Sequence, residues 1–287
     1  MRSYLKYKEQ ISGFGDVLET VKVTEKIAAA NIHLLKQEVY QLDQYIQEIN
    51  TVLERMSLFY EYKESIFLKK RKEASAKKAI IVLSSNKGLV GALYHDLTSY
   101  MMEQEDRYDK VIIIGESVAK LLEEESIAYD KVFSNISEIM TGDEVLEISD
   151  YIFNAFRSGD ISSVDIIYPK FVSVSVQSPK KVEFLPFEFT DMKRDTKLLN
   201  NGLGYPIFDQ KKENIFQELL KRYMSVFFHK IIIEAKLSEF SARTVAMEHA
   251  SEKTEDMLKD LKLAYLKERR LMKTKSQLEL FLAHNII

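Results

Sequence analysis

Cysteine and tryptophan are absent from this chain, and glycine and proline are scarce, at nine and four of 287 residues. Without cysteine there are no disulfides and no thiolate metal sites, a composition compatible with a cytosolic address. With so few helix-breaking residues, long uninterrupted helices are expected. No apolar run reaches the roughly eighteen residues that a membrane span requires, so no spanning segment is expected. Residues 1–20 mix Lys6, Lys8, Glu9 and Asp16 with apolar ones and read as no signal peptide. Neither sign of charge dominates. A net charge of −3 with 30% charged residues argues for a soluble chain and against a nucleic-acid partner.

What is abundant is periodicity. Ile11, Phe14, Leu18, Val21, Glu25, Ala28, Ile32, Leu35, Val39, Leu42, Ile46, Ile49, Leu53, Met56 and Tyr60 follow alternating spacings of three and four, and only Glu25 is polar. Such a 3.5-residue repeat specifies a long helix with a narrow seam that winds around a partner helix. From Lys212 to Ile287 there is neither Pro nor Gly, and Phe216, Leu220, Tyr223, Phe227 and Ile231 repeat at helical spacing. Leu258, Leu261, Tyr265, Met272, Leu278 and Leu282 resume the seam further on. The two segments are expected to pair antiparallel.

Between them the texture is that of strands. Ala79–Leu83 and Val111–Ile114 are short β-branched runs followed by helical patterns, as in parallel buried strands with crossover helices. Val145–Phe156 reads as an amphipathic helix. Val164–Tyr168, Phe171–Val176 and Val182–Leu185 read as further strands, the last two separated by Ser178-Pro179. Thr190–Gln210, with Asn200-Asn201-Gly202 and Pro206, reads as the exit from this domain. The predicted fold class is therefore α/β: a long antiparallel coiled coil of N- and C-terminal helices with a central Rossmann-like α/β domain. The predicted division is an N-terminal rod over 1–75, the central domain over 76–210 and a C-terminal rod over 211–287.

Chemistry is harder to find. Ser84-Ser85-Asn86-Lys87-Gly88-Leu89-Val90-Gly91 lies between a strand and a helix, where phosphates bind in many α/β proteins. It lacks the spacing of a P-loop or a dinucleotide fingerprint, and reads first as a tight turn with Gly91 allowing close packing. The five histidines are scattered, and His95-Asp96, adjacent on a helix, do not face each other. No catalytic residue, metal ligand or cofactor is predicted. Two basic runs remain: Lys69-Lys70-Arg71-Lys72 with Lys77-Lys78, and Lys267, Arg269, Arg270, Lys273 and Lys275. They read either as solvated helix faces or as positive rings that meet carboxylates on surrounding subunits.

The stretch SSNKGLVGALYHDL after a buried strand resembles the signature of the γ subunit of F-type ATP synthases. Ser241–Arg270 is similar to that family's C-terminal helix in the order of Arg243, Val245-Ala246-Met247, Ala250, Leu261, Tyr265, Lys267 and Arg269. The run from Gly159 through Ile166-Ile167-Tyr168 and Lys170-Phe171 to Leu185-Pro186 is a third match. The resemblance implies a non-catalytic rotor shaft inside a ring of α and β subunits, coupling ATP synthesis or hydrolysis to rotation. It implies an ε-like subunit and a membrane rotor ring as further partners, and a cytoplasmic address peripheral to the membrane. It assigns Arg269, Arg270 and Thr274 to contact with β, and Gly88, Leu89 and Gly91 to the signature turn. This chain departs from the family pattern at Arg270, where the family carries Gln, in Lys273-Thr274-Lys275-Ser276, where it carries Ile-Thr-x-Glu and only Thr274 is retained, and at Ala283-His284, in place of Gly-Ala; it keeps only Lys22-Val23-Thr24 of an N-terminal run, with extra residues around Gly13-Phe14-Gly15. The alternatives are a specialised F-type-like motor not coupled to proton transport, a non-rotary coiled-coil scaffold, and an enzyme using the strand–helix turn as a nucleotide site.

Overall fold

The computed structural model describes residues 3–57, 66–68, 77–104, 108–187 and 211–284. Tyr60, the basic run Lys69–Lys72 and the predicted exit segment over Thr190–Gln210 lie outside the described residues. In chain order the elements are α1 (Ser3–Ser57), a 3₁₀ turn (Ile66–Leu68), β1 (Lys78–Leu83), α2 (Leu93–Met102), β2 (Lys110–Ile114) and α3 (Glu116–Glu124). There follow β3 (Lys131–Phe133), α4 (Gly142–Ser158), β4 (Ser163–Phe171), β5 (Gln177–Leu185) and α5 (Lys212–His284). Two compact units share the long helices: Met1–Ala30 with Arg243–Ile287, and Asn31–Ala242.

In the first unit α1 and α5 run antiparallel. The Tyr4 ring meets that of Tyr265 edge-on at 6.3 Å, and Lys22 reaches Glu255. Ala28, Met247 and Leu258 are buried between them, whereas Ile11, Phe14, Leu18 and Val21 are half-buried, as expected of a seam between only two helices.

In the second unit the sheet has the order β3-β2-β1-β4-β5, parallel except for the β4–β5 hairpin. Strand alternation sorts β1 onto two cores. Ile80 and Val82 face α2 and α3, packing with Leu97, Val118 and Leu122. Ala79, Ile81 and Leu83 face the side of α4 and the long helices, with Ile152, Phe156, Leu220 and Phe228. The α1 seam residues Ile46, Ile49, Leu53 and Met56 join that second core. Phe184 of β5 sits at its centre with no exposure, stacked at 6.1 Å on Phe153 and 5.5 Å from Phe228. Here too the helices run antiparallel, with Glu38 beside His229, Asp43 beside Lys230 and Tyr45 beneath Arg222.

Helix α4 has both of its ends written locally. Thr141 accepts from the Glu144 backbone N–H, the Glu144 carboxylate accepts in return from Thr141, and Gly159 closes the helix at φ 86°. Burial alone pushes the Glu144 carboxyl up, but hydrogen bonds from Thr141 and Ser137 outweigh it and hold the group below its ordinary range.

Two sequence expectations need correction. Phe171–Val176 is not a strand. Residues 172–176 form the turn of the hairpin between β4 and β5, and β5 begins earlier, at Gln177. Pro179 lies inside β5, paired with Pro169, which its position on the sheet edge permits because no further strand needs its missing N–H.

The second correction concerns glycine. A Cβ on Gly91 would meet nothing within 4 Å, so that residue serves its left-handed φ of 61° and not close packing. Close approach occurs at Gly115, where φ is 90° and a Cβ would lie 2.6 Å from the Ser84 carbonyl. Gly115→Ala is therefore expected to cost roughly 2–5 kcal/mol, combining backbone strain and a clash. Gly91→Ala should cost about 1–2 kcal/mol, from strain alone. Urea unfolding of both variants reads the difference; equal losses would show that Gly115 is not a packing constraint.

His229 supplies a pH dependence. Burial lowers the ring's affinity for a proton, opposed by the Glu38 carboxylate 3.8 Å away. Below an unfolded value of about 6.5 the unfolded chain takes up the proton first, so acidification destabilises the fold. His229→Gln should flatten the fall in melting temperature between about pH 6.5 and pH 5 and leave its pH dependence above about pH 7.5 unchanged. An acid slope identical to that of the parent chain would assign the effect elsewhere.

Candidate functional site

The loop after β1 was the one place where a phosphate could be cradled, and its hydrogen bonds show how it is used. The Ser84 hydroxyl donates to the Ile114 carbonyl at 2.9 Å and accepts from the Val118 N–H at 3.4 Å. The Ser85 carbonyl accepts from both the backbone and the hydroxyl of Ser117, at 2.8 and 2.6 Å. Asn86 accepts from the Glu116 N–H through Oδ1 at 3.1 Å and donates through Nδ2 to the Ser134 carbonyl at 2.6 Å. The first three N–H groups of α3, the helix that follows β2, are therefore occupied by this loop, whereas α2, the helix the loop itself opens, starts at Ala92 without a side-chain cap. Lys87 is paired with Glu138. The loop is a cap for a neighbouring helix.

Beyond that cap the signature turn takes an unusual course. Leu89 has φ 64°, a region L-residues with side chains seldom enter, and is 65% exposed. Val90 is buried beside it, while Gly88 and Gly91 are exposed. His95 and Asp96 are both exposed on α2. Among the described residues no cluster of His, Cys, Asp and Glu could hold a metal ion.

The basic residues of α5 are all exposed: Lys267, Arg269, Arg270, Lys273 and Lys275, with Thr274 among them. At about 100° per residue, Arg270 and Thr274 fall on one face with Lys267, and Arg269 is turned about 100° away. Arg269 lines a groove with Tyr4, Tyr265, Met272 and Lys273. The structure thus brings Arg270 and Thr274 together and separates Arg269 from them.

Leu278 and Leu282, read from the sequence as seam residues, are 58% and 60% exposed. Tyr4, near the start of α1, shares this groove with Gln277 and Leu280, whereas Leu278 and Leu282 are not among its lining residues. Leu278 and Phe281 share the face of Arg270 and Thr274 and are exposed with them. Sequence spacing alone could not reveal this apolar and basic helix end. Among the described residues no helix is long and apolar enough to cross a membrane.

An α/β domain packed on antiparallel segments of two long helices is the architecture that these residues build. The family model described as ATP synthase matches residues 3–281. The ATP synthase gamma chain of Cytophaga hutchinsonii is 26% identical over 294 residues, covering 98% of this chain and 97% of the relative. That of Ruminococcus albus is 23% identical over 279 residues, covering 95% and 94%. Among solved structures, a chain of the Euglena gracilis mitochondrial ATP synthase, from its OSCP/F1/c-ring assembly, superposes with a TM-score of 0.63 at 16% identity, covering 99% of this chain and 94% of that one. A chain from the rotor of the same organism's enzyme gives 0.59 at 15% identity, covering 94% and 98%. The chain belongs to the ATP synthase family. Within it, this is a gamma-type rotor subunit without catalytic residues of its own.

Because Ser84–Gly91 lacks phosphate-cradling spacing, with Ser84, Ser85 and Asn86 engaged at α3 and Lys87 paired with Glu138, the full-length chain should give no saturable heat when titrated with ATP. Saturable binding that weakens on Lys87→Ala would show that the loop opens to admit phosphate.

Proposed function

We propose that this chain turns as the central shaft of a ring of α and β subunits and that the exposed end of α5 is where it engages them. The observation that carries this reading is the shared face of Arg270, Thr274, Leu278 and Phe281, all exposed in the isolated chain. An exposed leucine and phenylalanine on one line are costly in water and gain from an apolar sleeve. Arginines beside them suit carboxylates presented by a surrounding ring. The N-terminal rod over 1–75 and the C-terminal rod over 211–287 then form the shaft, and the domain over 76–210 carries the turn of Gly88, Leu89 and Gly91. That turn presents Leu89 outward in a strained backbone, which suits a contact with a neighbouring subunit. An ε-like subunit and a membrane rotor ring complete the assembly, held peripherally at the cytoplasmic side of a membrane.

A motor that drives something other than proton transport is the second reading. It is favoured by Arg270 and Ser276, which stand where the family pattern that this chain resembles has glutamine and glutamate.

The test uses the assembled complex. Arg269→Ala with Arg270→Ala should lower ATP turnover roughly tenfold, the scale of one lost charge-assisted hydrogen bond, while the apolar face keeps the complex together. Because Arg269 and Arg270 point apart, the single Arg270→Ala variant should account for most of the loss if its face is the one engaged. Parent-like turnover in the double variant would reduce the basic cluster to a solvated surface.

A further inference from the structure

In doubly wound sheets the ligand crevice lies outside the carboxyl ends of the strands, where the strand order reverses. Here the order β3-β2-β1-β4-β5 places that point between β1 and β4. The crevice is not open. Ile232, Ala235, Lys236 and Glu239 of α5 lie against Leu83 and Ser84 at the end of β1 and Pro169 of β4, leaving a cavity of about 10 Å³. That is room for one water at most.

The occupant carries charge. Lys236 Nζ lies 2.8 Å from Glu239 Oε2, with the two side chains only 5% and 2% exposed. Two residues before Lys236, the Glu234 carboxylate accepts from the Tyr168 hydroxyl of β4 at 3.1 Å. Burial, and the carboxylate beside it, push the Tyr168 phenol well above its ordinary range, so it stays a donor. Every residue from Ala235 to Arg243 is buried, so α5 has no solvent face here onto which a charge could relax.

We infer that this crevice is a socket whose ligand is the chain's own helix, and that the Lys236–Glu239 and Tyr168–Glu234 pairs are the key that fixes the axial register of α5 within it. Apolar packing is non-directional and does not by itself distinguish neighbouring registers. A slip of one turn, about 5.4 Å, would exchange Lys236 for Ile232 or Phe240. It would also move both charges along apolar walls that include Leu83 and Ile114. A buried ion pair contributes little net stability because desolvation offsets its attraction, and fixing register is its best-attested use. The inference concerns the chain by itself and does not depend on the rotor reading.

The natural absence of cysteine makes the test direct. Spin labels are placed on the full-length chain at the exposed positions Glu147 of α4 and Glu218 of α5, through Glu147→Cys and Glu218→Cys. The parent should give a single narrow distance by pulsed electron resonance. Lys236→Met with Glu239→Leu removes both charges and leaves neither buried alone, so the fold should survive. Its distance distribution should broaden or gain a second population displaced by about 5 Å. Tyr168→Phe, which deletes a single hydroxyl, should broaden it in the same direction and serves if the double variant does not fold. One unshifted, narrow distance in the folded variants would overturn the inference.

Discussion

The contact on which the second unit depends is the one made by Phe184. This fully buried ring of the edge strand touches Phe153 of α4 and both Phe227 and Phe228 of α5. Through it the outermost strand, the crossover helix and the long C-terminal helix share one core. From there the aromatic chain continues, Phe227 stacking on Tyr223 and Tyr223 meeting Phe187. Large rings are suited to this place because each buries much area while only two torsions must be fixed. The long helix is consequently part of the domain's interior, and the sheet could not be closed on that side without it.

The same economy shows in how a domain with the topology of a nucleotide-binding fold uses its β1 loop and its strand-end crevice for contacts within the chain. Two features normally make a ligand site in such a sheet: free donors at a helix start and an open crevice at the strand ends. In this chain the donors of α3 are met by Ser84, Ser85 and Asn86. The crevice is filled by α5. Gly115 makes the first arrangement possible, since no residue with a Cβ could let the β2–α3 turn approach Ser84 so closely. The fold is retained as a mechanical part, with its binding sites turned inward.

How much of this was legible depended on whether the signal was local. The α1 seam could be read because a 3.5-residue repeat is a property of one helix, and Ile46, Ile49, Leu53 and Met56 are buried where it placed them. The capping box at Thr141 and Glu144 is equally local. Lys131–Phe133 escaped notice as a strand because three residues carry no pattern. Pro179 was read as punctuation, though on an edge strand it interrupts nothing. The fate of Leu278 and Leu282 turns on what lies opposite them, which their own spacing cannot say. Arg269 and Arg270, adjacent in sequence, form one cluster on paper and two faces on a helix. Gly115 acquires its meaning only from a carbonyl some thirty residues earlier.

The antiparallel course of the two long helices also dictates the order in which the molecule can be made. Lys22 and Glu255, which pair in the finished protein, are 233 residues apart in the chain. At about 5–20 residues per second, the first helix leaves the ribosome roughly 10–50 s before its partner. Throughout that interval its seam is an uncovered apolar stripe, and only the domain that follows can begin to fold around local contacts. Newborn chains of this protein therefore pass through a state in which the α1 seam and the side of the sheet that α5 will cover are both exposed, and cellular factors that shield apolar surface have their longest opportunity then.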